Sequence, residues 1–549
     1  MIKDRFQTLL AIFGLLILPL LLFWPVIFGG KTLLPADNLF AFEPWRSFAD
    51  QFGISVPHNE LLSDLILENY AWKRFIVECI EARQLPLWNP YIFAGVPFLA
   101  AGQHSALYPF SILFYIMPIA RAYGYFTVLQ FFLAGLFMYI FARTIGIGRF
   151  GAFVAAITYA FSALFVVRVV FTMIIAAMAW LPLLLAMIEL IIRSYGLGDN
   201  PHPPIPYVVL GAIALGLHVL AGHAEITVYT LLVMAFYALS RLAYWCLVDR
   251  DRDYQFTNLP IYHLRPALKA AGWLAAMVIL GLGLGAVQLI PFYELVRENF
   301  RQGSVTYRQV VGWAYPARRL IAFLIPNFFG NPAHHSYFDI FSRQVVPVTR
   351  NYHGQAINTI YWGIKNYVEG GSYAGILPLL LALVAVLRRR ARPYVWIFAA
   401  LALISLALVF GTPLYALLYY GLPGIKQLHS PFRWIFPYTL SVAVLAGIGA
   451  QQLVTKGAEG NEGTEGAVSS LRPFSSLLGW IALLAGLSLV VALSLCLLFP
   501  DAAIPLAERA MLGLAKAPEA FADGRMFLSY QFCNFLAFAS TLAASGAVL

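Results

Sequence analysis

Apolar runs of about 20 residues recur along the whole chain, and that is the length a helix needs to cross a bilayer. Within hydrocarbon no water can satisfy backbone N–H and C=O groups, so each run must close its own hydrogen bonds as a helix. The runs fall at 8–29, 122–142, 151–170, 172–193, 207–222, 225–247, 268–291, 372–388, 394–411, 433–454, 475–499 and 526–549. They predict an all-α polytopic membrane protein with about twelve transmembrane helices. Composition agrees, because only 11% of the 549 residues are charged, against roughly 25% in soluble domains. The first run follows "MIKDR" and has no small-residue cleavage site before "GGKTLLP", so it reads as a retained span. Ala106 to Pro118 is too short to span and reads as a re-entrant or interfacial helix.

Basic residues set the orientation. The net charge of +10 is a topological signal, since Lys and Arg collect in cytoplasmic loops, and it is not read as nucleic-acid binding. A cytoplasmic N-terminus puts Lys3, Arg5, Arg143, Arg149, Arg193, Arg250, Arg252, Arg265, "RRRAR" at 388–392, Lys456 and Arg472 inside. The short outer turns near 171 and 223 then carry no Lys or Arg except Arg168. This topology makes one transmembrane domain of 1–549, with extracytoplasmic segments at 30–121 and 292–371. The Gly/Glu/Ser-rich stretch 455–473 reads as a flexible cytoplasmic linker. The last run ends without a polar tail, as expected of a chain that stops at the inner face or continues further. Cys79, Cys246, Cys496 and Cys533 show no metal or disulfide spacing.

Ionisable residues inside spans mark ion pathways, and the span centres here are nearly free of them. Glu189 and Arg193, one turn apart, read as a local ion pair near an inner end, and His218 stands alone. Polar groups gather at the outer face, which makes it the expected working face. In "NELLSDLILENYAWKRFIVECIEARQ", Leu61, Leu65, Trp72, Ile76 and Cys79 form one helical stripe behind an Asn59 cap. Asp64 and Glu68 lie on the other side, where Asp64 also suits the helix dipole. Beyond it, Trp88, Tyr91, Phe93 and Phe98 suit an interfacial aromatic belt or a sugar-stacking surface. Asp37 follows Pro35 at the rim of the first span, near Phe40, Phe42 and Trp45. It suits a general base acting on a hydroxyl, or an Asx turn.

"PADN…EPW", "HNELLSDLILENYAWKRF", "LPLWNPYIFAGVPFLAAGQHSALYP" and "LIPNFFGNP" together resemble the YfhO-like bacterial membrane proteins, of the GT-C class of glycosyltransferases. The resemblance is dense over the first outer segment and looser over the remaining spans. It implies a GT-C-like fold and a sugar donor carried on polyprenyl phosphate. It also implies an essential acidic residue in the first outer loop, a position that Asp37 matches, with Asp64 as second acid and Glu43 as a weaker one. The class allows a divalent metal ion, which Asp37 and Asp64 would hold, though no residue here requires one. The implied setting is a bacterial cytoplasmic membrane with an extracytoplasmic active site. The acceptor would be an envelope polymer, lipid or protein.

Such chemistry needs a base for the acceptor hydroxyl and cations for the departing phosphate. "LPGIKQLHSPFRW" supplies Lys426, His429 and Arg433 at a span mouth. An arginine entering an apolar span requires a phosphate or carboxylate partner, or snorkels to the interface. The YfhO-like pattern often has two arginines around this proline, and His429 stands at the first position. Arg168 is a similar candidate, and His223 and Glu225 either line the site or form a hydrogen-bonded turn. Arg318 and Arg319 sit in an aromatic-rich stretch where sugar selectivity is expected. His334, His335 and Asp339 suit a solvated loop better than a metal site. The rival readings are a transporter or flippase of lipid-linked envelope precursors, and a non-enzymatic envelope assembly protein.

Overall fold

In the computed structural model, the described residues are 2–195, 203–247, 261–298, 305–388, 393–422, 424–428, 431–459 and 472–549. His429 and residues 460–471 of the 455–473 stretch lie outside them. Among the described residues, nine helices are long and apolar enough to cross a membrane. Three shorter apolar helices, Ile205–Leu220, Ile376–Leu387 and Pro393–Val409, fill the remaining predicted runs. The protein is an all-α, multi-pass membrane protein, and β-structure among the described residues is three two-stranded pairings and one isolated bridge, Arg350 to Ala356.

Helices Thr172–Arg193 and Pro431–Val454 are the most enclosed, and the first helix and the two last long ones are largely uncovered. The buried core runs from Leu15 through Phe131, Ile175 and Leu184 to Phe398 and Leu440. Uncovered apolar side chains on the outer helices are what hydrocarbon solvates in place of protein.

Three runs depart from a single straight helix, and the first of them, 8–29, breaks at Phe23 between Ile2–Leu22 and Trp24–Ile27. The run at 151–170 gives Arg149–Ala160 and then Ala163–Val166. The break is explained by a lost helical partner, because the Ala163 N–H donates to the Tyr373 carbonyl at 2.9 Å. That bond ties the segment before the Ile376–Leu387 helix to the end of this span. The run at 268–291 extends beyond its expected end as Ile261–Leu284 followed by Ala286–Arg297.

The stretch between the last two spans is folded. Helix Pro500–Gly513 and the turn Ala517–Glu519 close over the second large segment. Met511, Phe521 and Tyr530 pack there with Phe329 and Trp362. Asp339, on the strand Ser336–Asp339, pairs with Arg525 at 2.6 Å. The expected helix in the first segment also changes form. Asn59 does cap it, accepting the Leu61 N–H at 3.1 Å, but it starts as the 3₁₀ turn Glu60–Leu62. It widens to the π-helix Leu65–Asn69 and continues as the α-helix Tyr70–Glu81.

At the opposite end of the bundle, Glu189 is fully buried. It accepts from Arg193 Nε at 2.9 Å, Arg241 Nε at 2.8 Å, Tyr237 at 2.8 Å and Tyr394 at 2.6 Å. The expected local pair is thus the hub of three helices. Glu189→Gln keeps the shape but removes the charge facing two arginines, and is expected to cost about 1–3 kcal/mol. A lowered melting temperature in detergent checks this, and an unchanged one would show that the network contributes little.

Candidate functional site

Every charged candidate that the structure gathers lies at the end of the bundle bearing the two large segments. A cavity of about 200 Å³ opens there. Asp64, Glu68 and Asn69 line one side, from the turns that lead into helix Tyr70–Glu81. Asp64 and Glu68, four residues apart and so about one turn apart on one face, reach the cavity while Leu65 and Ile66 go into the core. Burial and the neighbouring Asp64 raise the Glu68 carboxyl above the ordinary glutamate range.

Arg168, His223 and Arg433 come from three different span mouths and line the same cavity. Arg168 is buried, with Nη1 donating to the Leu164 carbonyl at 3.1 Å. Arg433 finds the carboxylate partner its position demands, with Nε 2.6 Å from Glu225 Oε2. Glu225 therefore acts from behind Arg433 and is absent from the lining. His223 Nδ1 accepts the Ile226 N–H at 3.2 Å. Burial and the adjacent Arg433 hold the ring below the usual imidazole range. A neutral ring with Nδ1 occupied carries its proton on Nε2.

Asn366, Val368 and Glu369 complete the wall, with Trp72, Phe171 and Phe432 as its aromatic surfaces. Asn366 and Glu369 had not been singled out from the sequence. Tyr315 donates to the Glu369 carbonyl at 2.5 Å. Buried Arg319 lies over the Tyr315 ring and against Gly370, bracing this wall from outside. Beneath the carboxylate side, buried Lys73 donates to the His104 carbonyl at 2.5 Å and faces the Phe114 ring. Burial lowers its ammonium pKa to about 7. This prop adjoins Gln103, which also lines the cavity.

The other candidates stand elsewhere. Asp37 is outside the lining, and its Oδ2 accepts the His58 N–H at 2.6 Å. The same loop is fixed by Asn38, which donates to the Asn59 carbonyl at 2.9 Å. Asp37 thus ties down the chain just before Asp64. Glu43 is exposed and accepts from Ser47 at 2.9 Å, a local turn. Lys426 is exposed over the Tyr419 and Tyr420 rings, away from Arg433's cavity. Arg318 donates to the Ala515 carbonyl at 2.6 Å and joins the cap around Phe329 and Trp362. His335 bridges the Asn358 and His58 carbonyls, and His334 meets Tyr530. Among the described residues no group of three His, Cys, Asp or Glu side chains is placed to hold a metal ion.

No protein-family model matches the chain, and no curated protein matches it. Solved structures with some likeness include the oligosaccharyltransferase AglB of Archaeoglobus fulgidus, in complex with an inhibitory peptide and a dolichol-phosphate. The identity is 14%, covering 86% of this chain and 54% of that one, with a TM-score of 0.38. Another is ArnT of Cupriavidus metallidurans bound to undecaprenyl phosphate, at 14% identity, 87% and 72% coverage and a TM-score of 0.33. The chain thus spans about half the length of the oligosaccharyltransferase.

Proposed function

We propose that the protein is a GT-C-type membrane glycosyltransferase that takes a sugar from a polyprenyl-phosphate carrier at the extracytoplasmic face. The acceptor is a cell-envelope polymer, lipid or protein, and the setting is a bacterial cytoplasmic membrane with the N-terminus inside. The observation that carries this reading is one cavity that gathers the carboxylates of Asp64, Glu68 and Glu369 with two arginines and a neutral histidine. That is the division of labour the reaction needs.

Asp64 takes the proton of an acceptor hydroxyl as its oxygen bonds to the anomeric carbon. The bond from that carbon to phosphate oxygen breaks, and its electron pair leaves with the phosphate. Arg168, Arg433 and the His223 N–H stabilise that anion. One displacement of this kind inverts the anomeric centre. Glu68 supports Asp64, and Asp37 is a positioning residue acting through the His58–Asn59 turn. Where a divalent ion takes part, Asp64 and Glu68 are the carboxylates in place to receive it.

The absence of a charged path favours this reading over a transporter. Among the described residues, buried carboxylates, lysines and arginines in the bundle lie toward its two ends and none lies midway.

The test is a reconstituted vesicle carrying a radiolabelled polyprenyl-phosphate sugar, mixed with a membrane extract as acceptor source. A transferase moves the label onto a new molecule, whereas a flippase moves it between leaflets on an unchanged lipid. Label that never leaves its lipid would contradict the proposal. In the same assay Asp37→Asn, which can still accept the His58 N–H, is expected to stay within a few-fold of wild type. Asp37→Ala should fall further, and equal collapse of both would make Asp37 the base instead.

A further inference from the structure

The uncharged stretch following helix Tyr70–Glu81 forms a hairpin with an unusual distribution of apolar groups. Strands Trp88–Asn89 and Val96–Pro97 pair antiparallel. Leu85, Leu87, Trp88, Tyr91, Ile92 and Phe93 are all exposed, with Phe93 at 92%. No Asp, Glu, Lys or Arg occurs between Arg83 and Arg121. Phe98, which the sequence grouped with these aromatics, is instead buried and stacks on His104 at 4.3 Å between ring centroids.

The tip is strained in order to present Phe93. Phe93, Ala94 and Gly95 have φ of 50°, 61° and 113°, a left-handed run that side-chain-bearing residues disfavour. Trp88 lies directly on Gly95, where a Cβ would collide with its indole. Tyr91 is braced edge-on by Phe75 at 6.1 Å. A rigid loop that spends conformational strain on a bare phenylalanine is a poor design for water.

Its base fixes its depth. The carbonyls of Leu99 and Ala100 accept from Gln288, on helix Ala286–Arg297. Ser105 donates to the Ala221 carbonyl at 2.7 Å, in the turn between two spans. Gly102 and Gly222 touch backbone to backbone. The hairpin is therefore seated where apolar spans end. Next to its base, Val287, Ile290 and Tyr293 continue the uncovered apolar surface up the helix.

We infer that residues 85–95 form a finger that inserts into the bilayer surface beside the cavity, with Trp88 and Tyr91 at headgroup level and Phe93 deepest. Trp and Tyr are the side chains that prefer this interface, and the missing charges remove the cost of immersing the loop. The occupant is the lipid leaflet itself, independently of which reaction the cavity performs.

The experiment places p-benzoylphenylalanine at Phe93 of the full chain in nanodiscs of phosphatidylethanolamine and phosphatidylglycerol. Irradiation is expected to yield a phospholipid adduct on the peptide carrying residue 93. No lipid adduct, or an adduct only to protein, would overturn the inference. A second measurement labels Phe93→Cys with an environment-sensitive dye, with the four native cysteines replaced. Emission quenched by doxyl lipids and spared by aqueous iodide is expected. Quenching by iodide alone would make the finger a water-facing surface, such as a platform for carbohydrate.

Discussion

Arg433→Gln is expected to lower sugar transfer about 10²- to 10³-fold, the loss typical when one preorganised group facing a developing anion is removed. Arg433 is mostly enclosed, at 20% side-chain exposure, and lines the cavity. Its charge is balanced in the resting protein by Glu225 at 2.6 Å. As the carbon–oxygen bond breaks, the leaving phosphate gains charge, so the arginine binds it more strongly in the transition state than in the bound substrate. The effect therefore falls on kcat more than on KM. Arg433→Lys keeps the charge but loses the guanidinium fork, and an intermediate loss is expected.

A structural role for the Arg433–Glu225 pair is separable from this. If Arg433 serves only to neutralise Glu225, the double variant Arg433→Gln with Glu225→Gln restores transfer. The double variant is expected to recover melting temperature and to remain as inactive as Arg433→Gln alone. Coupling of this sort is what a double-mutant cycle measures.

Asp64→Asn is expected to reduce kcat by about 10²- to 10⁴-fold, the range of a lost general base. The substitution preserves size and leaves the Asn59 cap intact, because the capping bond runs to Leu61. Binding of the donor lipid should change little, since the cations that hold phosphate stand on other elements. Glu68→Gln should be milder. Glu68 lines the same cavity, and burial is the larger cause of its raised carboxyl value and Asp64 the smaller. If Glu68→Gln proves the more damaging of the two, the roles are exchanged.

The spans were legible because bilayer thickness fixes their length, and each predicted run contains an apolar helix. Arg168, His223 and Arg433 were legible for a related reason. A polar group at the mouth of an apolar run must find a partner, and the structure supplies one shared cavity. What the sequence hid depends on long-range backbone contacts. Asn366 and Glu369 reach the cavity beside a span that breaks at Phe161 and Ser162, where Ala163 bonds to Tyr373. No periodicity announces such a break. Lys73, on the helix Tyr70–Glu81, is buried and donates to the His104 carbonyl, a contact 31 residues away in sequence. Asp37 shows a different limit. Its neighbours located it at the rim, but which way a carboxylate turns in a Pro-led loop is decided by its partner, here the His58 N–H.

The decisive comparison sets purified wild type against Asp64→Asn, each given the labelled polyprenyl-phosphate sugar and an acceptor-containing extract. Both are expected to bind the lipid alike, with wild type moving the label to the acceptor and Asp64→Asn leaving it on the lipid. Transfer by Asp64→Asn at the wild-type rate would contradict this expectation.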